Sequence, residues 1–242
     1  MATEHLAKSF EEELKRLNSL IARMGGLTES QIADSIQAVG ERDSELAAEV
    51  VAGDDRIDAL EREVDDLALK ILALRQPLAS DLRRILSALK ISADLERIAD
   101  YAANVAKRAL ALNQVAAISP VHAVPRMGRV VKQMLKDVLD AYATGDVEKA
   151  VRVWNRDEEV DEMYSSLFRE LLTYMMEDPR SISASTHLLF IAKNIERIGD
   201  HTTNIAETIH FLVKGAPIAQ VRPKHDQTSF EIVRPSGANG EA

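Results

Sequence analysis

The sequence predicts an all-α protein: a tandem duplication of an antiparallel three-helix bundle, with six long helices and no sheet. Three observations carry that expectation. Aliphatic residues dominate a composition that is 46% apolar but only 4% aromatic, a balance that favours helix-on-helix packing over a sandwich or barrel. Apolar positions recur at helical intervals, with no convincing period of two. Whole strings of residues return at a nearly constant offset, the mark of an internal repeat.

The repeat is explicit. Leu95-Glu96-Arg97-Ile98-Ala99-Asp100 is echoed by Ile195-Glu196-Arg197-Ile198-Gly199-Asp200, and the echo continues from Asn104 to Asn204. Upstream, Arg23-Met24-Gly25 aligns with Arg126-Met127-Gly128, and the same offset pairs Asp43 with Asp146, Asp54 with Asp157 and Asp58 with Asp161. The offset shortens by three residues near Pro77 and Pro179, which places a loop there. Residues 1–118 form the first expected bundle, 119–214 the second, and 215–242 a mobile polar tail rich in Pro, Gly, Ser and charge.

Within each unit, helix one is expected over about 6–39 or 123–143, closing near Gly40 or Gly145. Helix two opens after Asp43 or Asp146, side chains suited to capping a helix N-terminus, and each is followed by a glutamate, Glu45 or Glu148. It stops before Pro77 or Pro179, because a proline disfavours helix in the residue before it. Ile57, Leu60, Val64, Leu67, Ile71 and Leu74 step by three and four along it, as an apolar seam requires. Helix three starts near Ser80 or Ser183, with seams Leu95, Ile98, Ala102, Val105, Ala109 and Ile195, Ile198, Thr202, Ile205, Ile209.

Charge and composition exclude several functions. There are 39 acidic against 30 basic residues, a formal charge of −9, so the basic footprint that nucleic acid demands is missing. There is no cysteine, which removes disulfides, zinc thiolates and thiol nucleophiles. The first ten residues lack the apolar run of a signal peptide, and no stretch reaches the roughly 18 apolar residues of a membrane span. A cytoplasmic protein is expected, meeting membranes only through partners.

The candidate site is a set of acidic rows. Glu96, Asp100 and Asn104 lie four apart on helix three, as do Glu196, Asp200 and Asn204; Asp54/Asp58 and Asp157/Asp161 match them on helix two. Counted from the seam, the rows fall away from the core, on a wet or partner-facing side. In a chain this acidic, roughly six such pairs arise by chance, so one pair alone means nothing. The recurrence in register on two helices of both repeats is what singles these out. An all-oxygen set suits Mg²⁺, Mn²⁺, Ca²⁺ or iron better than structural zinc. The other reading is a solvated stripe with salt bridges to Arg97 and Arg197.

His201 is expected at the surface and Trp154 in the core. Glu207 and His210 form a single E-x-x-H near a helix end, whereas a carboxylate di-iron bundle needs two. No phosphate loop, nucleophile elbow or H-E-x-x-H motif occurs, so the chain is expected not to be an enzyme. A carboxylate-bridged metalloenzyme such as a phosphohydrolase is the alternative.

Four strings together resemble the PhoU family: Arg75-Gln76-Pro77-Leu78-Ala79-Ser80-Asp81-Leu82-Arg83, Asp94 to Asp100, Tyr174-Met175-Met176-Glu177-Asp178-Pro179-Arg180, and Ile195 to Asp200. The resemblance reaches to about residue 214. It implies E/D-x-x-x-D surface motifs that bind multinuclear metal clusters in some members, carried here by Asp54/Asp58, Glu96/Asp100, Asp157/Asp161 and Glu196/Asp200, for which the oxygen donors make Mg, Mn or Fe the expected ions. It also implies a negative regulator of the phosphate-starvation response and modulator of phosphate uptake. The implied partners are the ATPase subunit of a phosphate ABC transporter, a sensor histidine kinase, and a second copy in a homodimer. This chain has Ala99 where its own second repeat has Gly199, a difference that bears on close helix approach.

Overall fold

A computed structural model describes residues 2–219, with side chains described from residue 9. Eight α-helices follow one another among these residues: α1 Ala2–Glu41, α2 Ser44–Gly53, α3 Asp55–Arg75, α4 Ala79–Leu112, α5 Val124–Thr144, α6 Val147–Asn155, α7 Asp157–Glu177 and α8 Ile182–Lys214. Six are long; α2 and α6 are short. No strand is present among the described residues.

The expected second helix of each repeat is divided. At Asp54 the amide of Ile57 bonds the Asp54 carbonyl, and at Arg156 the amide of Glu159 bonds the Arg156 carbonyl. Both are three-residue bonds, which tighten a helical turn and bend the axis. Gly53 weakens the helix just before the first bend. The start is as expected: Asp43 accepts from the amides of Glu45 and Leu46, and Asp146 from that of Lys149. Such a cap contributes about 1 kcal/mol.

The α1 helix ends at Arg42, which adopts φ 57°, where the second repeat has Gly145 at φ 69°. A left-handed arginine is strained, and its side chain offsets that cost. The guanidinium donates to the carbonyls of Asn113 at 2.9 Å and Val115 at 2.6 Å, closing the end of α4. Arg75 does a similar job at the other end. It forms a forked pair with Glu13, at 2.9 and 3.2 Å, and donates to Ser9, tying α3 to α1. The structural use of Arg75-Gln76-Pro77 is therefore a tether followed by a left-handed turn at Gln76.

The seams are buried as predicted, except that Leu74 at the end of α3 is exposed. One continuous aliphatic core runs through both repeats. Helices α4 and α8 share the most extensive interface. They run antiparallel, since Lys90 meets Phe211 while Arg108 meets Phe190. A pseudo-twofold axis relates the halves. The backbone of Gly25 abuts Leu139, and its repeat counterpart Gly128 abuts Ile36, the counterpart of Leu139. Near the axis the equivalent rings of Tyr101 and His201 face each other at 5.6 Å.

Within the segment expected to be a tail, Ala216 accepts a hydrogen bond from His210 and Ile218 packs on the core. Residues 220–242 lie outside the described residues.

The glycine contacts lead to opposite expectations. A Cβ on Gly128 would lie 2.6–2.8 Å from three atoms of the buried, β-branched Ile36, and such overpacking costs about 1–3 kcal/mol. A Cβ on Gly26 meets nothing within 4 Å, so only helix propensity changes there, by up to about 1 kcal/mol. Denaturant unfolding should show Gly128→Ala less stable than the parent and Gly26→Ala more stable.

Candidate metal-binding carboxylate grooves

The four acidic pairs assemble into two grooves, one per repeat. The bend before α3 sets Asp54 and Asp58 opposite Glu96 and Asp100 on α4. Their proximity shows in their ionisation: burial raises the Asp54 pKa, and Asp100 and Asp58 push it further. Glu96 is pushed up to about 7, first by burial, then by Asp100, with Glu61 and Asp58 adding to it. The bend before α7 likewise sets Asp157 and Asp161 against Glu196 and Asp200 on α8. Glu196 rises to about 7 through burial, then through Asp200 and, after the opposing Lys193, Asp161.

The expectation of a wet stripe facing away from the core is corrected here. Asp157 is 2% exposed, Asp161 3% and Glu196 4%. Asp54, Asp58, Glu96, Asp100 and Asp200 are half-buried. The cause is packing. The rows on helices two and three of one repeat flank the seam and face each other, so each covers the other. Heptad position within one helix cannot register a neighbour on that flank.

The grooves have diverged. In the first, Gln31 donates to Asp54 at 3.0 Å, and the exposed Arg97 stands 3.6 Å from Glu96 and 3.4 Å from Asp100. Glu61 joins that groove as a fifth carboxylate, its own pKa raised by burial and then by Asp65 and Asp58. In the second, Tyr164 stands where Glu61 does, and Lys193 stands where the first repeat has Ala93. Lys193 donates to Glu196 Oε1 at 2.9 Å, and its ammonium lies 4.8 Å from the Tyr164 ring centre. Glu196 Oε2 is buried without a hydrogen-bond partner among the described residues. Gly199 lets Asp157 press against α8: a Cβ there would come within 3.2 Å of Asp157 Oδ1. In the first repeat, that position holds the buried Ala99.

Carboxylate oxygens fit Mg²⁺, Mn²⁺ or iron by donor type. Among the described residues, however, no three acidic or histidine side chains stand close enough together to hold an ion as they are oriented. An ion would require these side chains to turn inward, a change that half-buried Asp and Glu rotamers permit more readily than buried ones.

Other singled-out residues have structural partners. Trp154 is core, and its indole N–H donates to Glu207 at 2.9 Å. His210 is turned to the Ala216 carbonyl. His201, expected at the surface, is half-buried, and it bonds Asp94 of the other repeat at 2.8 Å, as Asn204 does at 3.3 Å. Arg197 lies over the Tyr101 ring rather than along its own acidic row. Sequence reasoning missed Glu61, Lys193 and Asp94. Comparing the repeats residue by residue would have exposed the exchange of Ala93 for Lys193.

The arrangement defines a class: a duplicated helical bundle with a carboxylate groove in each half. The family model for the PhoU domain matches twice, over residues 21–109 and 124–209. A phosphate-specific transport system accessory protein PhoU homolog from Caulobacter vibrioides is 56% identical over 94% of this chain and 99% of its own length. The Rhizobium meliloti homolog is 48% identical over 95% and 97%. Among solved structures, PhoU from Pseudomonas aeruginosa superposes with a TM-score of 0.84 at 43% identity, covering 86% of this chain and all of that one. The chain belongs to the PhoU family, whose relatives above are named as accessory proteins of phosphate transport and not as enzymes.

The raised carboxyl of Glu96 sets a pH dependence. Its pKa in the folded protein is above the ordinary value of 4.5, at about 7. Its favourable contribution is therefore complete below about 4.5 and is lost as pH rises toward 7. Glu96→Gln should weaken that loss. In chelator at pH 8 it should unfold about 1 kcal/mol harder than the parent, a figure reduced for solvent screening. Equal pH slopes for the two proteins would contradict this.

Proposed function

We propose that this protein is an accessory regulator of phosphate uptake that works through protein contacts. The observation that carries this reading is the pair of PhoU domains, found together in a chain 56% identical to a named phosphate-transport accessory protein. A PhoU from Streptococcus pneumoniae, 30% identical with a TM-score of 0.80, is described as a phosphate transport system regulatory protein. The role has two parts: negative regulation of the phosphate-starvation response, and restraint of uptake. The partners are the ATPase subunit of a phosphate ABC transporter, a sensor histidine kinase, and a second copy in a homodimer.

Three features agree with that role. No helix among the described residues is long and apolar enough to cross a membrane, so contact with membrane complexes runs through partners. The helices offer exposed apolar side chains, among them Leu78, Leu82 and Leu86 near the start of α4, and Ile182 and Phe190 on α8. The acidic grooves supply oxygen donors for a hard cation such as Mg²⁺, Mn²⁺ or iron: Asp54, Asp58, Glu96 and Asp100 in one, and Asp157, Asp161, Glu196 and Asp200 in the other. A bound cation would offset like-charge repulsion across such a groove and so brace helices two and three against each other.

Deleting the gene should leave phosphate-starvation genes expressed in phosphate-rich medium, measured as transcript levels. A deletion strain that still represses them normally would refute the regulatory role.

A further inference from the structure

We infer that the two grooves are not equivalent toward cations: Lys193 is the built-in counter-cation of the second groove and keeps it closed to metal, leaving metal binding to the first. The inference rests on the proposed metal-binding role of the carboxylate grooves and divides that role between them.

The repeats provide the comparison. By motif the grooves are the same, with two carboxylates on helix two facing two on helix three. They differ in what neutralises them. In the second, the Lys193 ammonium sits 2.9 Å from Glu196 Oε1 and 4.8 Å from the centre of the Tyr164 ring, so carboxylate and ring hold the cation between α8 and α7. Glu196 and Tyr164 are both almost wholly buried, which strengthens each contact relative to water. The first groove reverses both positions. Ala93 leaves no ammonium in place of Lys193, and Glu61 adds a carboxylate in place of Tyr164. Its cation, Arg97, is an exposed side chain that hydrogen-bonds Asp100 at 3.4 Å and pairs with Glu96 at 3.6 Å, where solvent screens it, rather than a buried ammonium.

Access points the same way. Asp54, Asp58, Glu61, Glu96 and Asp100 are all half-buried, so their oxygens can be reached from solvent and can reorient round an ion. Asp157, Asp161 and Glu196 are buried. A divalent ion entering there would meet a fixed positive charge and would have to expel it from its carboxylate. The unpartnered Glu196 Oε2 shows that this carboxylate retains acceptor capacity, which removal of the ammonium would open to a cation. Lys193 is thus a specificity residue that acts by occupying the place of the ion.

Titration of the full chain with Mn²⁺, followed by electron paramagnetic resonance, tests this. Circular dichroism confirms that each variant remains helical. The parent should show a single class of sites per chain, weakened at least about ten-fold by Glu96→Gln with Asp100→Asn and unchanged by Asp200→Asn. Lys193→Met keeps much of the stem against Tyr164 but removes the charge, and should add a second class of sites. Lys193→Arg should not. Ala93→Lys places an ammonium beside Glu96 and should weaken the first class at least about ten-fold. The melting temperature gives a second readout: Mn²⁺ should raise that of Lys193→Met more than that of the parent. Two equal classes in the parent, or an unchanged stoichiometry in Lys193→Met, would overturn the inference while leaving metal binding intact. Absence of Mn²⁺ binding in the parent and all variants would overturn the metal-binding role itself, and this inference with it.

Discussion

The antiparallel packing of α4 against α8 is the contact on which the rest of this molecule depends. Each of these helices is the third helix of its repeat and carries an aliphatic face too broad for its own bundle to cover. Docking the two faces about a pseudo-twofold axis merges two small cores into one. Burial of apolar surface provides the driving force. The same symmetry appears at α1 and α5, where Gly25 and Gly128 each admit an aliphatic side chain from the other repeat.

That packing also decides where the acids go. With one flank of α4 and α8 committed to the other repeat, the next flank receives the bent second helix of its own repeat. The carboxylates of helices two and three are thereby enclosed between them, and enclosure is what raises Glu96 and Glu196 to about 7. Carboxylates held this way carry a standing electrostatic cost. The two repeats meet it differently, the first with partial exposure and the outlying Arg97, the second with an internal lysine.

The polar contacts across the axis follow from the duplication as well. A strictly symmetric pair of helices would place identical residues opposite one another. Divergence has instead set Tyr101 against His201 and allowed Asp94 to accept from His201 and Asn204. These bonds give directionality to an interface whose aliphatic content alone would tolerate sliding.

By itself the sequence determined the helical class, the duplication, the capped start of each second helix and the identity of the acidic rows. All of these are local or periodic properties: a 3.6-residue repeat, an aspartate before a helix, a recurring string. Tertiary structure alone decided what those rows face. Asp157, Asp161 and Glu196 read as surface residues from their own helices and became buried once α7 packed on α8. Glu61 joins its groove through Glu96 and Lys193 through the Tyr164 ring, both distant in sequence, and His201 belongs to the repeat interface for the same reason. Periodicity assigns a residue to a side of one helix, whereas burial, charge pairing and ionisation are set by the second helix that comes to lie against that side.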